Sequence, residues 1–231
     1  FRKNDSLLHF VKPVFDRRVF LKTCTNGSSE LMTNLSMSLV NALYNLQLMK
    51  IAGENGVAAY GAVMYVNFIF VATFLGYAIG CAPVISYHYG AGNHAELKNL
   101  YKKSMSIILV WGVILFGAAQ LLAPVLSKIF VGYNTGLYAM TLHGFRVYAI
   151  AFLIIGINIF GSSFFTALNN GLISAVISFL RTLMFQVIMV LTLPLWFGIN
   201  GIWSAIGVAE ALTLIMTTIF FVRQKDKYHY L

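Results

Sequence analysis

The sequence predicts an all-α integral membrane protein, a bundle of six transmembrane helices, and three observations carry that expectation. Of its 231 residues, 59% are hydrophobic and 10% charged, against about 45–50% and ~25% in a soluble domain. Several stretches free of Asp, Glu, Lys and Arg are long enough to cross a bilayer. The basic residues, 16 Lys+Arg against 7 Asp+Glu, flank those stretches instead of forming one patch, so the charge implies no nucleic-acid partner. Cys24 and Cys81 stand apart from any CxxC or Cys/His spacing, so neither a metal site, a redox centre nor another cofactor is expected.

A bilayer core of about 30 Å needs roughly 20 apolar residues in a helix. Residues 1–22 are basic and precede the first span, expected at about 23–49, where Leu31 to Met49 carry no charge. The charge-free run Asn55 to Ala95 holds the second, about 57–87. Ser104 to Ser127 gives the third, about 104–130, and Val147 to Leu180 is cut by the turn signal Asn169-Asn170-Gly171, so the fourth runs about 138–168. The fifth covers about 172–197 and, after the tight Gly198-Ile199-Asn200-Gly201 link, the sixth covers 202–222, leaving a tail at 223–231. The opening Phe1-Arg2-Lys3, with no leader pattern before the first span, is expected of a fragment.

Six spans place both ends on one side. That side collects Arg2, Lys3, Lys12, Arg17, Arg18, Lys22, Lys98, Lys102, Lys103, Arg223, Lys225 and Lys227, while the other holds Lys50 and Lys128. Because cytoplasmic loops retain Lys and Arg, both termini are expected in the cytoplasm of a multi-pass plasma-membrane protein.

Four ionisable groups fall inside spans: Glu30, Arg146, Arg181 and Glu210. Counted from the cytoplasmic edges, Glu30, Arg181 and Glu210 lie at roughly 14, 14 and 18 Å. Two carboxylates and a guanidinium at one level can share a polar cluster, which costs less than three isolated charges. Such a cluster is either a fixed internal salt bridge or a group that takes up a proton or cation. Polar stripes accompany it. Glu30, Asn34, Ser38, Asn41 and Asn45 fall within about 80° of one helix face; Asn158, Ser162, Thr166 and Asn169 repeat the pattern on span four, and Glu210, Thr213 and Thr217 do so on span six. One such stripe reads as interhelical glue, and several together favour a wet central cavity.

Pro83, Pro124 and Pro194 interrupt spans and are either kinks or tolerated residues. Gly76-xxx-Gly80 reads as a close helix approach, and His143 as a satisfied polar group near the outer interface. Gly90-Ala-Gly92 lacks the GxxxxGK[ST] pattern and is expected to be a turn. The segment His94 to Lys103 is either a solvated connection or an amphipathic stretch on the membrane surface. With no nucleotide loop, no Ser/His/Asp set and no metal constellation, catalysis is not expected, and energy would come from an ion gradient or a partner.

The run Pro83-Val-Ile-Ser-Tyr-His-Tyr-Gly-Ala-Gly-Asn93 resembles the proline, tyrosine and GAGN signature of the multidrug and toxic compound extrusion (MATE) family. Asn26-Gly-Ser-Ser-Glu30, Ser163-Phe-Phe-Thr-Ala-Leu-Asn-Asn-Gly171, Ser178-Phe-Leu-Arg-Thr182 and Phe197-Gly-Ile-Asn-Gly-Ile-Trp203 before Ala209-Glu210 extend the resemblance in order and spacing. The resemblance implies one lobe of a twelve-helix, two-lobe transporter, with residues 1–22 as the inter-lobe linker. It further implies proton- or sodium-driven antiport of amphipathic or cationic small molecules from a cavity between the lobes. The partners implied are a small-molecule substrate, the lipid bilayer and the other six-helix lobe, from the same chain or a second copy. Glu30 and Glu210 are then candidate coupling acids, Arg181 their charge partner, and Asn34, Met37, Asn41 and Asn158 candidate cavity lining. Span four carries Asn158 where some members carry a carboxylate, so the coupling ion stays open between H+ and Na+. Two rival expectations stand beside this one, a lipid-linked precursor flippase of the same superfamily and a membrane scaffold or half-transporter whose stripes are glue.

Overall fold

A computed structural model describes residues 15–230, apart from the side chains at positions 26, 29, 30, 32 and 33. Among these residues every element is helical. The first, α1 (Arg17–Gly90), starts where the Asp16 carboxylate accepts the backbone N–H groups of Arg18 and Val19 at 2.8 and 3.2 Å. A straight helix of 74 residues would reach about 110 Å, well over three times the bilayer core. Gly53 prevents that: at φ 61, ψ −154 it occupies backbone space that only glycine enters without strain. The chain reverses there, and the two arms of α1 lie side by side. Tyr60 donates its hydroxyl to Asn41 Oδ1 at 2.9 Å and stacks on Tyr44 with ring centroids 5.1 Å apart. On a straight helix those 19 residues would separate Asn41 from Tyr60 by about 28 Å.

Helix α2 (His94–Val131) follows a turn in which Gly92 takes φ +67. Asn93 caps it by accepting from the Glu96 backbone N–H at 3.1 Å. Residues 94–103 form the first turns of α2; cap and first-turn acid start the helix there, and its 38 residues extend about 57 Å, beyond the bilayer core. Helices α3 (Thr135–Ala149) and α4 (Phe152–Ala167) are bent by 49° at the break between them and together are long and apolar enough for one pass. At the bend, Ile150, Ala151, Leu153 and Ile154 donate to carbonyls three residues back. Helices α5 (Gly171–Phe179) and α6 (Phe185–Phe197) are joined into a single pass by a π-helical turn, Leu180–Met184. Gly198, at φ 55, leads into α7 (Ile199–Tyr228).

The helices run on through Pro83, Pro124 and Pro194, and the breaks fall elsewhere, at Gly53, at Ile150–Ala151 and at Gly198. Gly76 and Gly80 likewise touch no neighbour, whereas a Cβ at Gly144 would press into the Trp203 indole and one at Gly156 into the Phe74 ring. Helix α4 is central, packed against α1, α2, α5 and α7, with Phe152, Ile155, Phe160, Phe164 and Phe165 buried. Large apolar side chains such as Ile79, Leu121, Ile129 and Leu195 project outward. That arrangement is unfavourable in water and natural in lipid.

The end of the chain is tied down. His229 takes a left-handed conformation, φ 55, and turns Tyr230 back onto the bundle. Tyr230 is fully buried, donates its hydroxyl to the Phe221 carbonyl at 2.9 Å, and packs among Tyr101, Phe164, Phe165 and Phe221. Nearby, Asn170 caps α5 through Oδ1 and donates through Nδ2 to the Tyr228 hydroxyl at 2.9 Å, fastening the α4–α5 turn to the end of α7.

Candidate functional site

Three passes bring a charged cluster together. Arg181 sits inside the π-helical turn, Glu210 in the middle of α7 and Asn158 in α4. Arg181 donates from Nε to Glu210 Oε1 at 2.9 Å. Asn158 donates from Nδ2 to Glu210 Oε2 at 2.7 Å and to the Glu210 carbonyl at 2.9 Å. Both carboxylate oxygens are thus engaged, with the Glu210 side chain 2% exposed and that of Arg181 15% exposed. Burial makes this pair sensitive: removing one partner leaves a charge in a poorly solvated site. Asn158 is itself fully buried, and its Oδ1 finds no hydrogen-bond partner among the described residues.

Arg181 and Glu210 border an open cavity of about 210 Å³ between the two arms of α1, α4, the π-helical turn and α7. Aromatic and apolar side chains dominate its wall: Tyr44, Tyr60, Met64, Phe68, Tyr148, Ile155 and Ile206. Tyr44 donates its hydroxyl to Gln186 Oε1 at 3.1 Å, which ties α1 to α6 beside the ion pair. Among the described residues no cluster of His, Cys, Asp and Glu could hold a metal ion.

The residues singled out from sequence are distributed unevenly around this cavity. Met37 and Asn41 line it, as Arg181 and Glu210 do. Asn158 lies behind the wall and holds the carboxylate. Asn34 is exposed and away from the cavity. Glu30 lies outside the described residues. Two of the three polar stripes turn inward as packing. Ser162 meets the hydroxyls of Ser174 and Ser178 at 2.9 and 2.8 Å, and Thr166 meets Ser174 at 2.6 Å, so the α4 stripe zips α4 to α5. On α7, Glu210, Thr213 and Thr217 are all buried. The stripe of the first span differs: Asn34, Ser38, Asn41 and Asn45 are exposed, and of these Asn41 lines the cavity. Far from the site, His143 Nε2 and Asn200 Oδ1 lie 2.8 Å apart.

Sequence reasoning missed Tyr44, Tyr60, Tyr148 and Gln186. Tyr44 carried a usable signal, since it follows Asn41 by three residues and so shares its helix face. The others did not stand out in a chain with 12 Tyr and 19 Phe.

A bundle of membrane passes, apolar outside and built around a cavity with a buried ion pair, is a multi-pass membrane protein. Its backbone matches solved MATE transporters. A structure of MATE in the bent conformation aligns at TM-score 0.88 and 19% identity, covering 97% of this chain and 50% of that one. MATE in the straight conformation gives 0.86 and 19%, over 94% and 49%. An outward-facing multidrug resistance MATE family transporter of the MOP superfamily gives 0.85 and 19%, over 94% and 48%. The chain thus spans about half the length of the structures it matches. No curated sequence matches it. The family model MatE matches residues 31–192, and the chain belongs to the MatE family, whose members are transporters and not enzymes.

Proposed function

We propose that this chain is one lobe of a two-lobe secondary transporter that exports amphipathic or cationic small molecules across the plasma membrane by cation-coupled antiport, with both termini cytoplasmic. The observation that carries this reading is the carboxylate of Glu210, buried mid-span and held by an arginine on the wall of an open cavity. A proton or Na+ on Glu210 would neutralise the anchor of Arg181. The guanidinium, no longer fixed through Nε, would leave its place on the wall, so that bound cation and bound substrate exclude one another. Such exclusion is what antiport requires. The exposed polar face of the first span, Asn34 to Asn45, supports a second six-helix lobe, from the same chain or a second copy, closing over the cavity. The 12 to 2 division of basic residues supports the orientation.

Efflux from proteoliposomes of the full-length protein under an imposed proton or sodium gradient tests the proposal. Glu210→Gln is expected to retain insertion and lose gradient-driven efflux by at least about tenfold. Full efflux in that variant would remove Glu210 from coupling, and the gradient that drives the wild type identifies the ion.

A further inference from the structure

A row of four hydroxyl oxygens runs through the seam between α4 and α5. Thr166 Oγ1 meets Ser174 Oγ at 2.6 Å, Ser174 Oγ meets Ser162 Oγ at 2.9 Å, and Ser162 Oγ meets Ser178 Oγ at 2.8 Å. We infer that this file carries protons between Glu210 and the end of the bundle marked by Arg18 and Lys22, so that the coupling ion is a proton. This rests on the reading of Glu210 as the coupling acid and deepens it.

Placement and chemistry carry the inference. At one end of the file, Thr166 is half-buried and stands three residues before Asn169, which is exposed and borders the same recess as Arg18 and Lys22. That end is cytoplasmic in the proposed orientation. The other end stops one turn short of the ion pair, with Ser162 four residues beyond Asn158 and Ser178 three before Arg181. From Asn158 to Thr166 the rise is about 12 Å. A buried hydroxyl in a helix is ordinarily satisfied by the carbonyl one turn back, as those of Thr141, Thr182 and Thr213 are. Here hydroxyl meets hydroxyl, and either oxygen of each contact can be the donor, so the row can reverse its direction. Oxygens in direct contact leave no room for Na+, and a proton needs none.

A second observation, outside the file, points along the same route. Asn158 is fully buried, its Nδ2 is spent on Glu210, and its Oδ1 has no partner among the described residues. Residues one turn apart on a helix stand about 5–6 Å apart at Cβ, a span that one water closes with two hydrogen bonds. A water between Asn158 Oδ1 and Ser162 satisfies the orphan acceptor and brings the file to the carboxylate. While Glu210 is ionised, an NH₂ group that donates but relays no proton stands between it and the file, so the path does not leak. Once protonated from the cavity, Glu210 loses its hold on Arg181 and gains an O–H that needs an acceptor. That O–H bond breaks toward the water, each oxygen of the file accepts one proton as it passes on its own, and Thr166 releases the last to solvent. Glu210 is left as a carboxylate that Arg181 engages again.

Ethidium, an aromatic cation of the proposed substrate class, tests the path in proteoliposomes of the full-length protein. An imposed proton gradient is expected to drive its efflux by the wild type, and Ser162→Ala, which cuts the file, to slow that efflux by about tenfold or more. Exchange of ethidium for ethidium at equal pH moves no net proton and is expected to persist in the variant. Ser162→Thr, which keeps the hydroxyl, should restore proton-driven efflux. Ser174→Ala cuts the same file and decides the matter if Ser162→Ala does not insert. Unchanged proton-driven efflux in the alanine variant, equal loss of efflux and exchange, or efflux driven by sodium alone would overturn the proton file and leave the transporter reading standing. No ethidium movement under either gradient would overturn both.

Discussion

At the residue scale, the cluster of Arg181, Glu210 and Asn158 shows how a membrane interior accommodates charge: each carboxylate oxygen has its own donor, and the arginine reaches the cavity with 15% of its side chain exposed. Breaking such a pair from one side is costly, and replacing both partners is not. Arg181→Met is therefore expected to destabilise the protein by about 3–5 kcal/mol. The double variant Arg181→Met/Glu210→Met should recover most of that loss, as read by thermal unfolding in detergent; equal losses in single and double variants would mean that the pair is not coupled. The meeting of Arg181 with Glu210 was legible in the sequence, because both lie at similar depth and a lone charge in lipid seeks an opposite one. The engagement of Asn158 with the carboxylate was not, since its polar stripe reads equally well as a cavity face. Direction decides between those two readings, and helical spacing gives direction only relative to the helix itself.

At the element scale, the informative features are the departures from regular helix. The π-helical turn Leu180–Met184 carries Arg181 and Thr182, both on the cavity wall. A π turn holds one residue more than the α-helix would, so it offsets the register of everything after it. Deleting Leu183 is expected to restore a plain helix that leaves the segment beyond it in register, so that Gln186 still faces Tyr44 and the change is confined to the placement of Arg181 and Thr182. Helical circular dichroism should be retained and efflux lost; retained efflux would show that the π turn does not position the site. Nothing in Leu180-Arg181-Thr182-Leu183-Met184 announces this turn, nor does Ala149-Ile150-Ala151 announce a 49° bend. Both arise from tertiary packing overriding local preference. The prolines, which do announce themselves, sit in helices that continue through them.

At the scale of the whole molecule, six spans were legible because a bilayer imposes length and apolarity that leave a strong trace in composition. The end of the chain was not, since Tyr230 reads as one more residue of a polar tail. In the structure it plugs an aromatic cluster that joins α2, α4 and α7. Tyr230→Ala is expected to cost about 3–5 kcal/mol, the usual range for a buried large aromatic, measured as a loss of thermal stability in detergent. A variant as stable as the wild type would mean that the cluster closes without it.

The single-residue reversal at Gly53 bears on how the chain enters its membrane. Two passes joined by one glycine leave almost no hydrophilic loop to be translocated, and the contacts of Tyr60 with Asn41 and Tyr44 hold the arms together near the turn. Neither arm needs to partition alone, since Asn41 on the first finds its partner Tyr60 on the second while both are still leaving the insertion machinery. Nascent-chain force measurements should accordingly record one pulling event for the pair, not two. On that route, insertion would begin with a preassembled hairpin, and Gly53 would act during biosynthesis as much as in the finished fold.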